Sequence, residues 1–320
     1  MRRDFLKLML CAGVAALPLT RAQARQRFKQ VPDEIAMLVE MKASPFPFHG
    51  ENPDTGEPFM KMLEGHRLGH QSPRGGIRWE DETYSDKRAL FDIPKGFDLS
   101  RPAVLIVYFH GNDTTLERDV MGRQHIPAQL AQSGINAVLV APQFAFDARD
   151  SSPGNFWRPG YFSGWLAEAA SHLAKLHGGG AKASDFNHLP VVLVAYSGGY
   201  LPAAWSLKQG GTGHRIEGVI LMDALYGDAE KFANWIATRR KHVFLFSAYS
   251  KSSRQWNLEL QELLAAKGID FARGFPDALA PGQIHFGEAP QDLDHVEFMS
   301  LAWTPDPLSW VLQRIAKYRL

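Results

Sequence analysis

The 320-residue chain has one cysteine, Cys11, and no surplus of charge of either sign. Its 35 Lys and Arg face 34 Asp and Glu, for a formal net charge of +1. Proteins that bind nucleic acid gain much of their affinity by neutralising phosphates and carry a basic excess. None exists here, so neither nucleic acid nor any other partner chosen by bulk charge is expected. A single cysteine excludes an internal disulfide and a multi-thiolate zinc site. Long apolar runs are lacking as well: residues 8–19 form a mostly apolar stretch, too short for the about 20 residues that a helix needs to span a bilayer. Glycine (28) and proline (20) are ordinary in number, and 45% apolar with 22% charged residues excludes disorder, collagen and coiled coil.

The chain opens with Arg2-Arg3-Asp4-Phe5-Leu6-Lys7, the short apolar stretch and then Ala22-Gln23-Ala24. A charged start, a short apolar centre and a small-residue cleavage pattern predict a removable export signal over residues 1–24. The paired arginines resemble a bacterial twin-arginine (Tat) signal. That resemblance implies a periplasmic or secreted protein, with the Tat machinery as partner of the precursor and no stable membrane anchor. Residues 1–24 carry four basic residues and one acid, so the remainder has a formal net charge of −2. Cys11 leaves with them. Thiol catalysis is then excluded, and the chemistry must use oxygen and nitrogen groups.

Residues 25–76 read as an irregular N-terminal extension with one helix expected over 33–42. Residues 77–320 read as a single α/β domain, because apolar runs alternate with helix-length segments. Strands are expected at 88–93, 103–109, 137–142, 191–196, 216–222 and 242–246. Several are continuous Val/Ile/Leu runs, as in a mostly parallel sheet covered by helices on both faces. Helices are expected at 116–132, 165–176, 201–208, 229–239, 254–267 and 307–318.

The apolar run 190–194 leads directly into Ala195-Tyr196-Ser197-Gly198-Gly199 and an Ala-rich helical segment. A serine on a tight strand-to-helix turn presents its hydroxyl at the strand's carboxyl end, and small neighbours let the turn close. Alone, this pattern also fits a serine that merely caps a helix. It resembles the nucleophile elbow of the α/β-hydrolase superfamily, with Ala195 in place of the commoner first glycine. Upstream, the strand at 103–109 ends in His110-Gly111-Asn112, which resembles the oxyanion loop of the same superfamily.

The resemblance implies a three-layer α/β-hydrolase fold and a Ser-His-Asp triad in the chain order serine, acid, histidine. It implies Ser197 as nucleophile, with Gly198 and Asn112 as the backbone donors that hold an oxyanion. His295, in a polar loop after the last strand, is the expected general base. His285 lies in a strand-like stretch and is expected to pack at the sheet edge. The position past the strand at 242–246 offers no carboxylate, and residues 248–252 read as a solvated strand end. Asp223, at the end of the strand at 216–222, is therefore the expected acid. Asp228 reads as a helix cap, and the two compete for the role. His110 is expected to be structural.

Residues 144–165 hold seven aromatics. Two readings stay open: a cap or pocket wall in which Phe156, Trp157, Tyr161 and Phe162 join Tyr196 in binding substrate, or a loop anchored to the core by its rings. His66-x-x-x-His70 lacks the glutamate of a zinc-protease helix and is not expected to bind metal. The expected function is that of an exported serine hydrolase acting on a small carboxylic ester through an acyl-serine, with no cofactor. A peptidase or amidase with the same triad, or a non-catalytic periplasmic binding protein on this scaffold, are the alternatives.

Overall fold

The computed structural model describes residues 35–320 except residue 291; the export signal expected at residues 1–24 lies outside them. Twelve strands are found among the described residues. They are β1 (Ile35–Glu40), β2 (Met62–Glu64), β3 (Arg67–Gln71), β4 (Ile77–Trp79), β5 (Arg88–Ile93), β6 (Val104–Phe109), β7 (Ala137–Pro142), β8 (Val191–Tyr196), β9 (Ile216–Met222), β10 (Phe244–Tyr249), β11 (Ala272–Arg273) and β12 (Ile284–Glu288). Strands β2 to β4 form a small antiparallel sheet, and the other nine form one sheet in the order β1-β5-β7-β6-β8-β9-β10-β12-β11. Within it β5 alone runs against its neighbours.

The central strands are apolar on both faces because both faces are covered. Leu105, Val107, Leu193 and Ala195 belong to one core, while Ile106, Tyr108, Val192 and Val194 belong to the other. Each fully buried aliphatic side chain contributes about 1.5–3 kcal/mol. The first core is roofed by α1 (Tyr161–His177), α2 (Tyr200–Gln209), α3 (Ala229–Arg239) and α4 (Arg254–Ala266). The second lies under the widened helical segment Leu116–Arg123, the helix Ile126–Ser133 and α5 (Pro307–Leu312). This is the three-layer arrangement of the α/β-hydrolase fold. Among the described residues no helix is long and apolar enough to cross a membrane.

The N-terminal extension is not irregular throughout. The helix expected over 33–42 is instead strand β1, paired antiparallel with β5 from Ile35↔Ile93 to Glu40↔Arg88. Ile35, Leu38 and Val39 fit either periodicity, and pairing along the exposed edge of β5 decides the matter. The strand expected at 242–246 runs from 244 to 249, and β12 joins the sheet beside it.

The aromatic segment 144–165 is an anchored loop that runs into the first turn of α1. Phe156 and Phe162 are fully buried and Trp157 is buried, with ring centroids 5.2 Å apart for Phe156 and Phe162. Asn155 ties the loop to the extension, donating from its backbone to the Pro45 carbonyl (2.7 Å) and from its amide to Ser44 (3.0 Å) and Pro47 (2.9 Å). Tyr161 donates to the Ser44 carbonyl at 3.2 Å. The expectation that Phe156, Trp157, Tyr161 and Phe162 bind substrate is therefore corrected: Phe156, Trp157 and Phe162 pack in the core, where their apolar rings are removed from water, and the Tyr161 hydroxyl is engaged by the extension.

Candidate active site

Because β6, β8, β9, β10 and β12 run parallel, the segments that follow them emerge at one edge of the sheet. The strand order reverses beside β6, whose neighbours are β7 and β8. Such a switch point leaves a crevice at the carboxyl ends of the strands. His110-Gly111-Asn112 leaves β6 there, Ser197 leaves β8, Asp223 leaves β9, and His295 follows β12.

Ser197 has φ of +53°, a conformation that costs a non-glycine residue of order 1–3 kcal/mol. The turn survives because its neighbours are small. A Cβ on Gly199 would overlap the Phe109 carbonyl at the end of β6, and one on Gly111 would stand 2.7 Å from the Ser197 Cβ. The glycine at 199 thus answers to the adjacent strand, and Ala195 is buried beneath the turn. The Ser197 side chain remains half-buried and faces the cleft.

His295 joins two other segments. Its Nε2 is 2.8 Å from Ser197 Oγ and its Nδ1 is 2.6 Å from Asp223 Oδ2. An ionised carboxylate only accepts, so Nδ1 carries the proton and the Nε2 lone pair faces the serine hydroxyl. The imidazole stacks on Tyr196 with ring centroids 5.1 Å apart, and the Tyr196 hydroxyl donates to the His295 carbonyl at 2.8 Å. Tyr226 stands edge-on to the imidazole and packs its hydroxyl against Ser252 Oγ at 2.8 Å.

Asp223 has no solvent exposure. Burial is the largest influence on its carboxyl and pushes its pKa up, yet hydrogen bonds from His295, Ser253 and the Ser250 N–H outweigh it and hold the pKa below the usual range. Oδ1 accepts from Ser250 N (2.9 Å) and from Ser253 Oγ; Oδ2 accepts from Ser250 Oγ (2.8 Å) and Ser252 Oγ (3.0 Å). The stretch 248–252, expected to be a solvated strand end, is thus in part a buried cradle: Ser250 is 3% exposed, and Ser253, just beyond the stretch, 0%. Sequence reasoning missed these serines because none follows a recognisable motif.

Asp228 lies elsewhere. It precedes α3 with φ of +56° and makes no side-chain cap bond. It pairs instead with Lys231, while burial pushes its carboxyl pKa up. His110 is buried: its Nδ1 donates to the Gly111 carbonyl (2.7 Å) and its Nε2 accepts from Phe144 N (2.9 Å). Desolvation lowers its pKa to about 4, so it stays neutral and serves to shape the loop. His285 lies within β12, half-buried. His70 stacks on Phe59 with centroids 3.9 Å apart, its Nδ1 2.9 Å from the Phe59 carbonyl. Among the described residues no group of three or more His, Cys, Asp or Glu is arranged to hold a metal ion.

A cleft of about 480 Å³ opens over Ser197. Tyr196, Tyr226, Ser252, His295 and Val296 line one part, and Asn112 and Asp113 another. Arg74, Arg123 and Arg149 complete it. Sequence reasoning missed the three arginines, which sit on separate segments: Arg74 and Arg149 on loops, Arg123 at the end of the widened helical segment. Asn112 bridges the loops around Ser197: with its amide turned to the orientation that satisfies its neighbours, the NH₂ donates to Ser151 Oγ (3.0 Å) and the Asp150 carbonyl (3.1 Å), and the oxygen accepts from Arg74 (2.8 Å). Gly198 packs against the Asn112 side chain.

No protein-family model matches the chain, and no curated protein is similar to it in sequence. Its neighbours among solved structures include esterases of the α/β-hydrolase fold. An S-formylglutathione hydrolase from Agrobacterium tumefaciens is 12% identical, covering 80% of this chain and 98% of its own, with a TM-score of 0.44. The feruloyl esterase module from Clostridium thermocellum is 10% identical, covering 86% and 95%, with a TM-score of 0.44. A dipeptidyl peptidase 4 from Porphyromonas gingivalis is 13% identical, covering 72% of this chain and 32% of its own, with a TM-score of 0.35.

Proposed function

We propose that the protein is an exported serine hydrolase that cleaves a small carboxylic ester through an acyl-serine intermediate. The observation that carries this reading is the unbroken hydrogen-bonded line from Ser197 Oγ through His295 to Asp223. In this reading His295 Nε2 takes the Ser197 proton as Oγ attacks the ester carbonyl, and then gives it to the departing alcohol. Water next attacks the acyl-serine with the same histidine as base. Asp223 fixes the imidazole tautomer and offsets the imidazolium charge. The N–H groups of Gly198 and Asn112 hold the developing oxyanion, each donor contributing about 3–4 kcal/mol. Tyr196 holds the imidazole plane by stacking. No step calls for a cofactor.

Export rests on Arg2-Arg3, the short apolar stretch and the Ala22-Gln23-Ala24 pattern, with the Tat machinery as the precursor's partner. A peptidase with the same triad is the second reading, since the triad geometry is common to ester and amide cleavage. Turnover of para-nitrophenyl acetate against the matching para-nitroanilide separates the two. Faster ester cleavage supports the proposal, and anilide cleavage at a similar rate replaces it with the peptidase reading. Failure of a fluorophosphonate to label the folded protein replaces both with a binding protein.

A further inference from the structure

The charge of the cleft does not follow the charge of the chain. Three guanidiniums line it against one carboxylate, Asp113, in a protein with a formal net charge of +1. Asp113 pairs with Arg149 at 3.0 Å. Arg123 is held by Asp119 at 2.9 Å, a carboxylate that Arg118 also engages at 2.8 Å. Arg74 differs: among the described residues its guanidinium meets the Asn112 amide oxygen at 2.8 Å and has no carboxylate partner.

The arrangement is built. Ser72 is buried at 3% exposure, and its hydroxyl donates to the Arg149 carbonyl (2.8 Å) while accepting from the Arg74 N–H (3.2 Å). One side chain thereby fixes the two arginine-bearing loops to each other. A third loop joins them, since Asp113 N donates to the Ala148 carbonyl at 2.9 Å and Asn112 reaches Asp150. Among the described residues the apolar side chains lining the cleft are Tyr196, Tyr226 and a single aliphatic one, Val296, with no phenylalanine.

We propose that the cleft is made for an ester bearing a carboxylate, with Arg74 as its direct partner and with Arg149 and Arg123 supplying the surrounding positive potential. This rests on the ester-hydrolase reading of Ser197. A guanidinium fork matches a carboxylate in two parallel hydrogen bonds, and a cleft lined by one sign of charge concentrates substrates of the other. Asn112 links Arg74 to the oxyanion loop, so a carboxylate held by Arg74 keeps the scissile carbonyl beside Ser197.

Two substrate pairs locate the carboxylate. Para-acetoxybenzoate against its methyl ester places it on the leaving side, and monomethyl adipate against methyl hexanoate places it on the acyl side. At low salt, kcat/KM for the charged member of at least one pair should exceed that of its neutral partner by roughly tenfold. That ratio should fall towards one in about 0.5 M NaCl, where screening is strong, and in Arg74→Gln. Arg149→Gln, at an exposed position, should lower it in part and serves if Arg74→Gln fails to fold. Neutral esters cleaved as fast as charged ones, or a preference that survives both substitutions, overturns the proposal and leaves the ester-hydrolase reading standing. Absence of cleavage in both pairs together with absence of fluorophosphonate labelling removes that reading and this proposal with it.

Discussion

Replacing Asp223 by Asn changes one atom at a site with no exposure, and the hydrogen-bond inventory gives its effect. The carboxylate accepts from His295 Nδ1, from Ser250 N and from the hydroxyls of Ser250, Ser252 and Ser253. Asparagine keeps one acceptor oxygen and turns an NH₂ towards groups that are donors already. If the NH₂ faces His295, the imidazole must move its proton to Nε2 to accept at Nδ1. The proton then points at Ser197, and the ring can no longer act as base. The expected loss is on the order of 10⁴ in turnover, or about 5.5 kcal/mol of barrier. The fold should survive, because removing a buried charge offsets part of the lost hydrogen bonding. Asp228→Asn weakens a partly buried pair with Lys231 at the start of α3 and leaves most activity. Initial rates on para-nitrophenyl acetate, with thermal melts of both variants, make the comparison. The opposite ranking, or Asp223→Asn keeping more than about a tenth of wild-type turnover, would refute the tautomer argument.

Acid stability follows from the same carboxyl. Its folded pKa lies below the unfolded value of about 3.9, so its contribution is present above that value and is lost as pH falls through the folded pKa; urea melts should show the wild type losing stability below about pH 4 more steeply than Asp223→Asn. Gly199→Ala drives a methyl into the Phe109 carbonyl and should lower the thermal midpoint sharply or prevent folding, read by circular dichroism; an unchanged melt would contradict the close approach. Changing Arg2 and Arg3 together to Lys should keep the precursor in the cytoplasm, read by fractionation and the mass of the mature N-terminus, and unchanged export removes the twin-arginine assignment.

The central sheet was legible because β6, β7, β8 and β9 are apolar on both faces, a pattern that few other arrangements bury. β1 was not, since Ile35, Leu38 and Val39 suit a helix as well as a strand and only β5 chooses between them. The elbow serine could be read from local sterics, which confine small residues to one short segment. The serine cradle around Asp223 could not. Ser250, Ser252 and Ser253 look like an ordinary polar turn until β10 carries them beside the end of β9. The arginine cleft was invisible for a related reason: Arg74, Arg123 and Arg149 line one cleft only after two loops and the end of the segment Leu116–Arg123 come together. The aromatic loop misled because ring content gives no direction: Trp157 turns inward to Phe48 and Phe59, and Phe156 and Phe162 pack on each other in the core.

The account depends most on Ser197 being the nucleophile. Intact-mass and peptide mapping after reaction with a fluorophosphonate, on wild type and Ser197→Ala side by side, tests it directly. One adduct on Ser197 in the wild type, none in a variant that melts like the wild type, and ester turnover reduced by several orders of magnitude are predicted. Equal labelling or equal turnover in Ser197→Ala contradicts it.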